Sequence, residues 1–231
     1  MNFLYFPWDI WYFVLVVPAL ILSIIASVMV KRTFKKYDQM PSSSNYNGAD
    51  AARRILDDNG LQKVAINRIQ GDLTDNFNPR TNVLSLSQST YDSTSVAAIG
   101  VAAHEAGHAI QHANAYMPNK IRTVLVPAAN IGSSAGPYLA ILGLILNMTF
   151  LFNLGIILFA VAVFFYLVTL PVELNASYRA MRILDRTGIL YGDELAGARK
   201  VLTAAAMTYI ASMLVAIASL ARLLLLRGRR R

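Results

Sequence analysis

The sequence predicts a mainly α membrane protein, with about four transmembrane helices plus a small α+β soluble region that carries an H-E-x-x-H helix. Three observations lead there. Hydrophobic residues make up 55% of the 231-residue chain and charged residues only 15%, against about 25% charged in an ordinary soluble domain. Apolar runs long enough to cross a bilayer occur at residues 10–30, 124–146, 150–170 and 202–226. All three histidines, His104, His108 and His112, fall within nine positions between the first and second of these runs.

The first run has no basic start and about 20 apolar residues, so it reads as a permanent anchor and not as a cleaved signal. Trp8, Trp11 and Tyr12 form an aromatic belt for the membrane interface. Lys31, Arg32, Lys35 and Lys36 close the run. Residues 31–123 hold most of the polar sequence. Pro41-Ser42-Ser43-Ser44 reads as a linker. Residues 50–59 read as a short amphipathic helix stopped by Gly60. Residues 64–69 and 83–87 alternate apolar and polar and are expected to be strands, joined by a turn-rich loop at 71–79. From about Ser93 the pattern becomes helical and runs through the histidines.

The second apolar run contains Gly132, Ser133, Ser134, Gly136 and Pro137, small residues that permit close helix packing in a bilayer. Only Asn147 to Thr149 separate it from the third run, which implies a tight helical hairpin. A further helix is expected at 173–201, and the last run, interrupted by Arg222, precedes a basic tail ending Arg229-Arg230-Arg231. The expected divisions are therefore 1–30, 31–123, 124–172, 173–201 and 202–231.

The net charge of +8 comes largely from Lys and Arg beside apolar runs, which fits membrane topology and a lipid bilayer partner better than nucleic acid. With no cysteine there is no disulfide and no Cys-based zinc site. The basic cluster at 31–36, Lys120 and Arg122 put residues 31–123 in the cytoplasm. The hairpin then returns the chain after Leu170 to that side, where Arg179, Arg182 and Arg186 agree. If the last run also spans, its basic end lies outside, against the rule.

The run His104-Glu105-Ala106-Gly107-His108 is an H-E-x-x-H motif, expected by chance in a chain of this length about 1 time in 200. On a helix, His104 and His108 project from one face and can bind one metal ion, with Glu105 beside them to take a proton. Catalytic zinc needs a third protein ligand. His112 lies eight residues past His104, roughly 12 Å along a helix, and reads as a polar helix-end residue. The metzincin pattern is absent, because Gln111 and Asn114 stand at its glycine and third-histidine positions. Glu173 is the remaining candidate, directly after the third apolar run. Its position admits two readings: a partnered acid at a membrane edge, or a helix N-terminal carboxylate just after Pro171.

The run Val-Ala-Ala-His-Glu-Ala-Gly-His-Ala-Ile-Gln at 101–111, with Pro-Val-Glu-Leu-Asn-Ala-Ser at 171–177, resembles the membrane-bound neutral zinc metallopeptidase family of the YugP type. Gly71 to Asp75, Asn78-Pro79-Arg80 and the strand at 83–87 carry the same resemblance, which covers nearly the whole chain. It implies a gluzincin-type peptidase with a zincin-like soluble region; together with the distribution of basic residues, the expected location is a bacterial plasma membrane with the active site on the cytoplasmic side. His104, His108 and Glu173 would hold one Zn2+ per chain, and Glu105 would pass a proton from the activated water to the leaving amine. One departure stands out. Where the family usually has Asp-His-Tyr-Asp-Pro, this chain reads Asp75-Asn76-Phe77-Asn78-Pro79, which bears on specificity more than on the metal ligands.

Asn175 and Ser177 are the candidates for supporting the ligands, Ser177 being one turn past Glu173 and able to bond a ligand histidine. The strand at 83–87 is expected to offer its edge to an extended substrate. Arg179 and Arg182 read as lipid contacts at the interface or as groups that meet a substrate terminus. Expected substrates are membrane-associated proteins or peptides, with a place in membrane protein quality control. A non-proteolytic zinc-binding scaffold is the alternative. A transporter is disfavoured by the lack of midplane acids or paired broken helices.

Overall fold

A computed structural model describes residues 9–228; Trp8 and Arg229 to Arg231 lie outside them. A π-helical turn at Tyr12–Val16 leads into α1 (Val17–Asp38). There follow α2 (Gly48–Asp58), β1 (Ala65–Ile69), β2 (Asn76–Asn78), β3 (Val83–Ser87), α3 (Gln88–Tyr91), α4 (Val96–Ala113), α5 (Met117–Ile145), α6 (Thr149–Thr187) and α7 (Gly192–Gly228). The helical and membrane character read from the sequence holds: the helices at Tyr12–Asp38, Met117–Ile145, Thr149–Thr187 and Gly192–Arg227 are each long and apolar enough to cross a bilayer. The chain forms two compact units. Within the described residues, one comprises 9–27, 121–170 and 207–228, and the other 28–120 and 171–206.

In the first unit, Ala140, Leu144, Phe152, Phe159, Ala162 and Leu223 form the core. The small residues of α5 do what their size allows. A Cβ at Gly132 would run into the Leu158 carbonyl oxygen of α6, so glycine here sets how closely the two helices approach. Ile21, Ile24, Ile25, Phe150, Ile157 and Phe164 face outward and exposed, a surface suited to lipid. Arg222 of α7 is paired with Asp9, Nη2 to Oδ2 2.7 Å, and its guanidinium lies 5.1 Å from the Tyr12 ring centre. The end of α7 therefore meets the start of the first helix.

The second unit is built on a three-stranded sheet, ordered β1-β3-β2. β3 pairs parallel with β1, Ala65 opposite Val83, and antiparallel with β2, Phe77 opposite Leu84. Two sequence expectations change here. The loop at 71–79 contains a strand, β2, whose three residues are too few to show an alternation. β3 is the central strand and has no free edge along its paired length, so it cannot offer that edge to a substrate; the free edges belong to β1 and β2.

Side chains alternating along β3 send Leu84 and Leu86 into a core with Ile55 and Leu56 of α2, Ile99 of α4, and Leu184 and Leu190. Truncating any of these large side chains to Ala costs about 2–5 kcal/mol. α2 starts at Gly48, two residues before the expected Asp50, because the Asn47 side chain caps it by accepting from the Asp50 amide at 2.8 Å. Gly60, at φ +75°, closes it as expected. Ser95 caps α4 by accepting from Ala98 N at 3.1 Å.

A larger difference concerns α6. The sequence suggested a break at Pro171 with a separate helix at 173–201, but α6 runs unbroken from Thr149 to Thr187 through Pro171. Its 39 residues span about 58 Å, well beyond a hydrocarbon core of about 30 Å. Glu173 thus sits mid-helix, which removes the reading of it as a helix N-terminal carboxylate. α4 crosses the far half of α6 at Gly107, where an added Cβ would lie 2.8 Å from the Ala176 carbonyl oxygen. Gly107→Ala is expected to force this crossing open and to destabilise the protein by about 1–3 kcal/mol, read as a lowered unfolding temperature of the detergent-solubilised chain.

Candidate metal centre

Helical spacing of four residues stacks His104 and His108 on one face of α4, their rings 4.7 Å apart and edge to face. The crossing at Gly107 brings Glu173 of α6 against them. Glu173 Oε2 lies 3.2 Å from His104 Nε2 and 3.4 Å from His108 Nε2, and the two Nε2 atoms are 3.1 Å apart. Zinc held tetrahedrally at about 2.05 Å sets its donor atoms about 3.3 Å from one another. Two imidazole nitrogens and one carboxylate oxygen at 3.1–3.4 Å are therefore a donor set that fits zinc in chemistry and spacing. Among the described residues this is the group of histidine and acid side chains that converges in this way.

The far side of each imidazole is also engaged. His104 Nδ1 lies 3.1 Å from Ser177 Oγ, the contact that one-turn spacing from Glu173 anticipates. His108 Nδ1 lies 3.1 Å from Gln111 Oε1. Gln111 Nε2 donates to the Val172 carbonyl at 2.8 Å and to Asn175 Oδ1 at 3.0 Å. Arg179 Nε donates to the same Asn175 oxygen at 2.8 Å. Asn175 is therefore one side chain further from the histidines than Ser177. Spacing along the sequence gives Gln111 no role at the site beyond standing where the metzincin pattern has glycine. The signal available was its place three residues after His108, on the same face of a helix whose facing positions are apolar.

Glu173 is 1% exposed. Burial disfavours the charged form of its carboxyl, and its contacts with the two imidazoles oppose that. Glu105, 9% exposed, follows His104 on α4. His112 does not join the cluster: it sits exposed in the last turn of α4, 5.9 Å from the Phe77 ring centre. Arg179 lies over Tyr116 and Arg182 over Tyr178. The altered loop residues serve the sheet. Asn76 and Phe77 are in β2, and Asn78 Oδ1 accepts from Arg80 N at 3.0 Å to start the turn into β3. Asp75 accepts from the Ser87 amide at 2.8 Å, pinning the hairpin.

The family described as "Putative neutral zinc metallopeptidase" matches residues 12–228. A curated relative from Bacillus subtilis (strain 168), described as "Putative membrane protease YugP", is 45% identical over 217 residues, covering 93% of this chain and 96% of the relative. No solved structure matches the chain.

The three-atom cluster makes a direct prediction for the purified, full-length chain. Divalent metal should be retained by wild type and by His112→Ala, and lost from His104→Ala and Glu173→Ala. Metal analysis after gel filtration in detergent checks this; equal retention by Glu173→Ala would remove Glu173 from the ligand set.

Proposed function

The chain belongs to the neutral zinc metallopeptidase family, and from that premise we propose that it is a membrane-embedded, gluzincin-type zinc endopeptidase. The observation that carries this reading is the convergence of His104 Nε2, His108 Nε2 and Glu173 Oε2 within 3.4 Å of one another. These three residues would hold one zinc ion and leave a position open for water. Bound zinc supplies a Lewis acid for the scissile carbonyl and a water of lowered pKa.

Glu105 is the proton carrier. Its place directly after His104 keeps it on the same helix as two ligands, and it takes the water's proton and delivers it to the leaving amine. Ser177 holds the His104 ring from behind. An extended substrate pairs with a free strand edge, and β2 is the edge adjacent to α4, with Phe77 against His112. Asn76, Phe77 and Asn78 thus bear on which side chains are accepted. Lys31, Arg32, Lys35, Lys36, Lys120 and Arg122 support a cytoplasmic site. Proteins or peptides associated with the bilayer are the substrates this placement favours, consistent with membrane protein quality control.

Cleavage of an unfolded protein such as casein, in mild detergent, tests the reading. Glu105→Gln should keep its zinc and lose at least about 1,000-fold in rate, the upper part of the range for general acid–base catalysis being about 10,000-fold. Undiminished cleavage by Glu105→Gln would remove Glu105 as the proton carrier. Zinc in both proteins with cleavage in neither would favour a metal-binding scaffold.

A further inference from the structure

We propose that Gln111 is a positioning residue that fixes His108 in the tautomer and orientation a metal needs, and that it does so while clamping the backbone beside Glu173. The inference rests on His108 and Glu173 being metal ligands, and it adds a residue that the H-E-x-x-H motif does not contain.

The direction of each hydrogen bond follows from partners whose roles are fixed. The Val172 carbonyl can only accept, so the Gln111 amide nitrogen must face it, at 2.8 Å. Arg179 Nε can only donate, so Asn175 must present its oxygen, at 2.8 Å. That oxygen then takes the second Gln111 N–H at 3.0 Å. Both Gln111 donors are used, and its orientation is set from two sides. Its oxygen is left facing His108 Nδ1 at 3.1 Å. A carbonyl-type oxygen can only accept, so Nδ1 carries the proton. The neutral ring therefore has its lone pair on Nε2, the atom that faces Glu173 and His104.

Gln111 is 0% exposed, so a wrong orientation would leave buried polar atoms unmatched. The same side chain grips the carbonyl of Val172, the residue directly before Glu173. One amide therefore ties two ligands from two helices: it orients the imidazole of one and holds the backbone of the other. Ser177 provides the corresponding contact for His104, but a hydroxyl can donate or accept and does not fix the ring in the same way.

The test is metal affinity, measured on the full-length protein in detergent by competition between Zn2+ and a chelator of known affinity. The absorption spectrum of the Co2+-loaded protein serves as a second readout. Gln111→Met keeps the volume and removes every hydrogen bond. Gln111→Glu keeps an acceptor for His108 Nδ1 but loses both donors. Gln111→Met should weaken Zn2+ by 10–100-fold, the usual effect of losing such a partner, and alter the Co2+ spectrum. Gln111→Glu should bind at least as tightly as wild type and restore the spectrum.

Equal weakening in both variants would mean that Gln111 is only a clamp between helices, and would overturn the inference. Wild-type affinity in Gln111→Met would overturn it too. If Gln111→Met fails to fold, Gln111→Glu decides alone: binding within about threefold of wild type supports the inference, and a tenfold loss overturns it. Absence of metal binding by wild type would instead remove the metallopeptidase reading on which the inference stands.

Discussion

The approach of α4 to α6 at Gly107 is the constraint on which the site depends. With a Cβ-sized obstacle absent, the Ala176 backbone can come close enough for Glu173, one turn earlier on α6, to reach two imidazoles on α4. The crossing is also sealed by Gln111, whose amide bonds Val172 and Asn175 on the opposite side of the cluster from Ser177. A few turns of two helices thus determine the positions of the three converging atoms. The sheet and α2 contribute indirectly, by supplying the apolar floor of Leu84, Leu86, Ile55 and Leu56 on which α4 rests.

Burying a carboxylate to 1% exposure is costly unless positive charge accompanies it. The groups beside it are two imidazoles whose ring nitrogens also approach each other to 3.1 Å. His108 Nε2 faces a carboxylate oxygen at 3.4 Å, with Gln111 Oε1 at 3.1 Å from the other ring nitrogen. Such an arrangement is favourable when a cation stands at its centre. The free energy of binding a metal there would add to the stability of the α4–α6 crossing, so that one cluster would serve both binding and structure in this unit.

The sequence made the parts with strong local signals legible. The H-E-x-x-H spacing, the apolar runs and the alternation in β3 each rest on a single period that a linear reading detects. Ser177 was found because one-turn spacing from Glu173 is also a linear rule, and the structure places it 3.1 Å from His104. What was not legible depended on pairing between distant segments. β2 is three residues long and is made a strand by its partner, and β3 is central because β2 and β1 both bind it. Pro171 suggested a helix break because its ring removes one backbone hydrogen bond. Continuation on both sides, with Val172 and Glu173 buried in packed contacts, outweighs that single loss. Gln111 is not legible in the sequence because its meaning lies in two acceptors, 61 and 64 positions away, and in a histidine of the turn before it.

The last apolar segment posed a separate problem in the sequence, since Arg222 interrupts it near its end. An unpaired arginine in such a segment argues for a helix that stops short of crossing. The partner, Asp9, lies 213 residues away at the opposite end of the chain. With both Nε and Nη2 within 2.8 Å of one Asp9 oxygen, and an aromatic ring against the guanidinium, the charge is matched where it stands. Arg222 then no longer marks the end of what α7 can bury in lipid. The pair also requires the end of α7 and the start of the first helix to lie at the same level. With its one interrupting charge matched, α7 keeps the length and apolar character that a fourth span requires, over Gly192–Arg227.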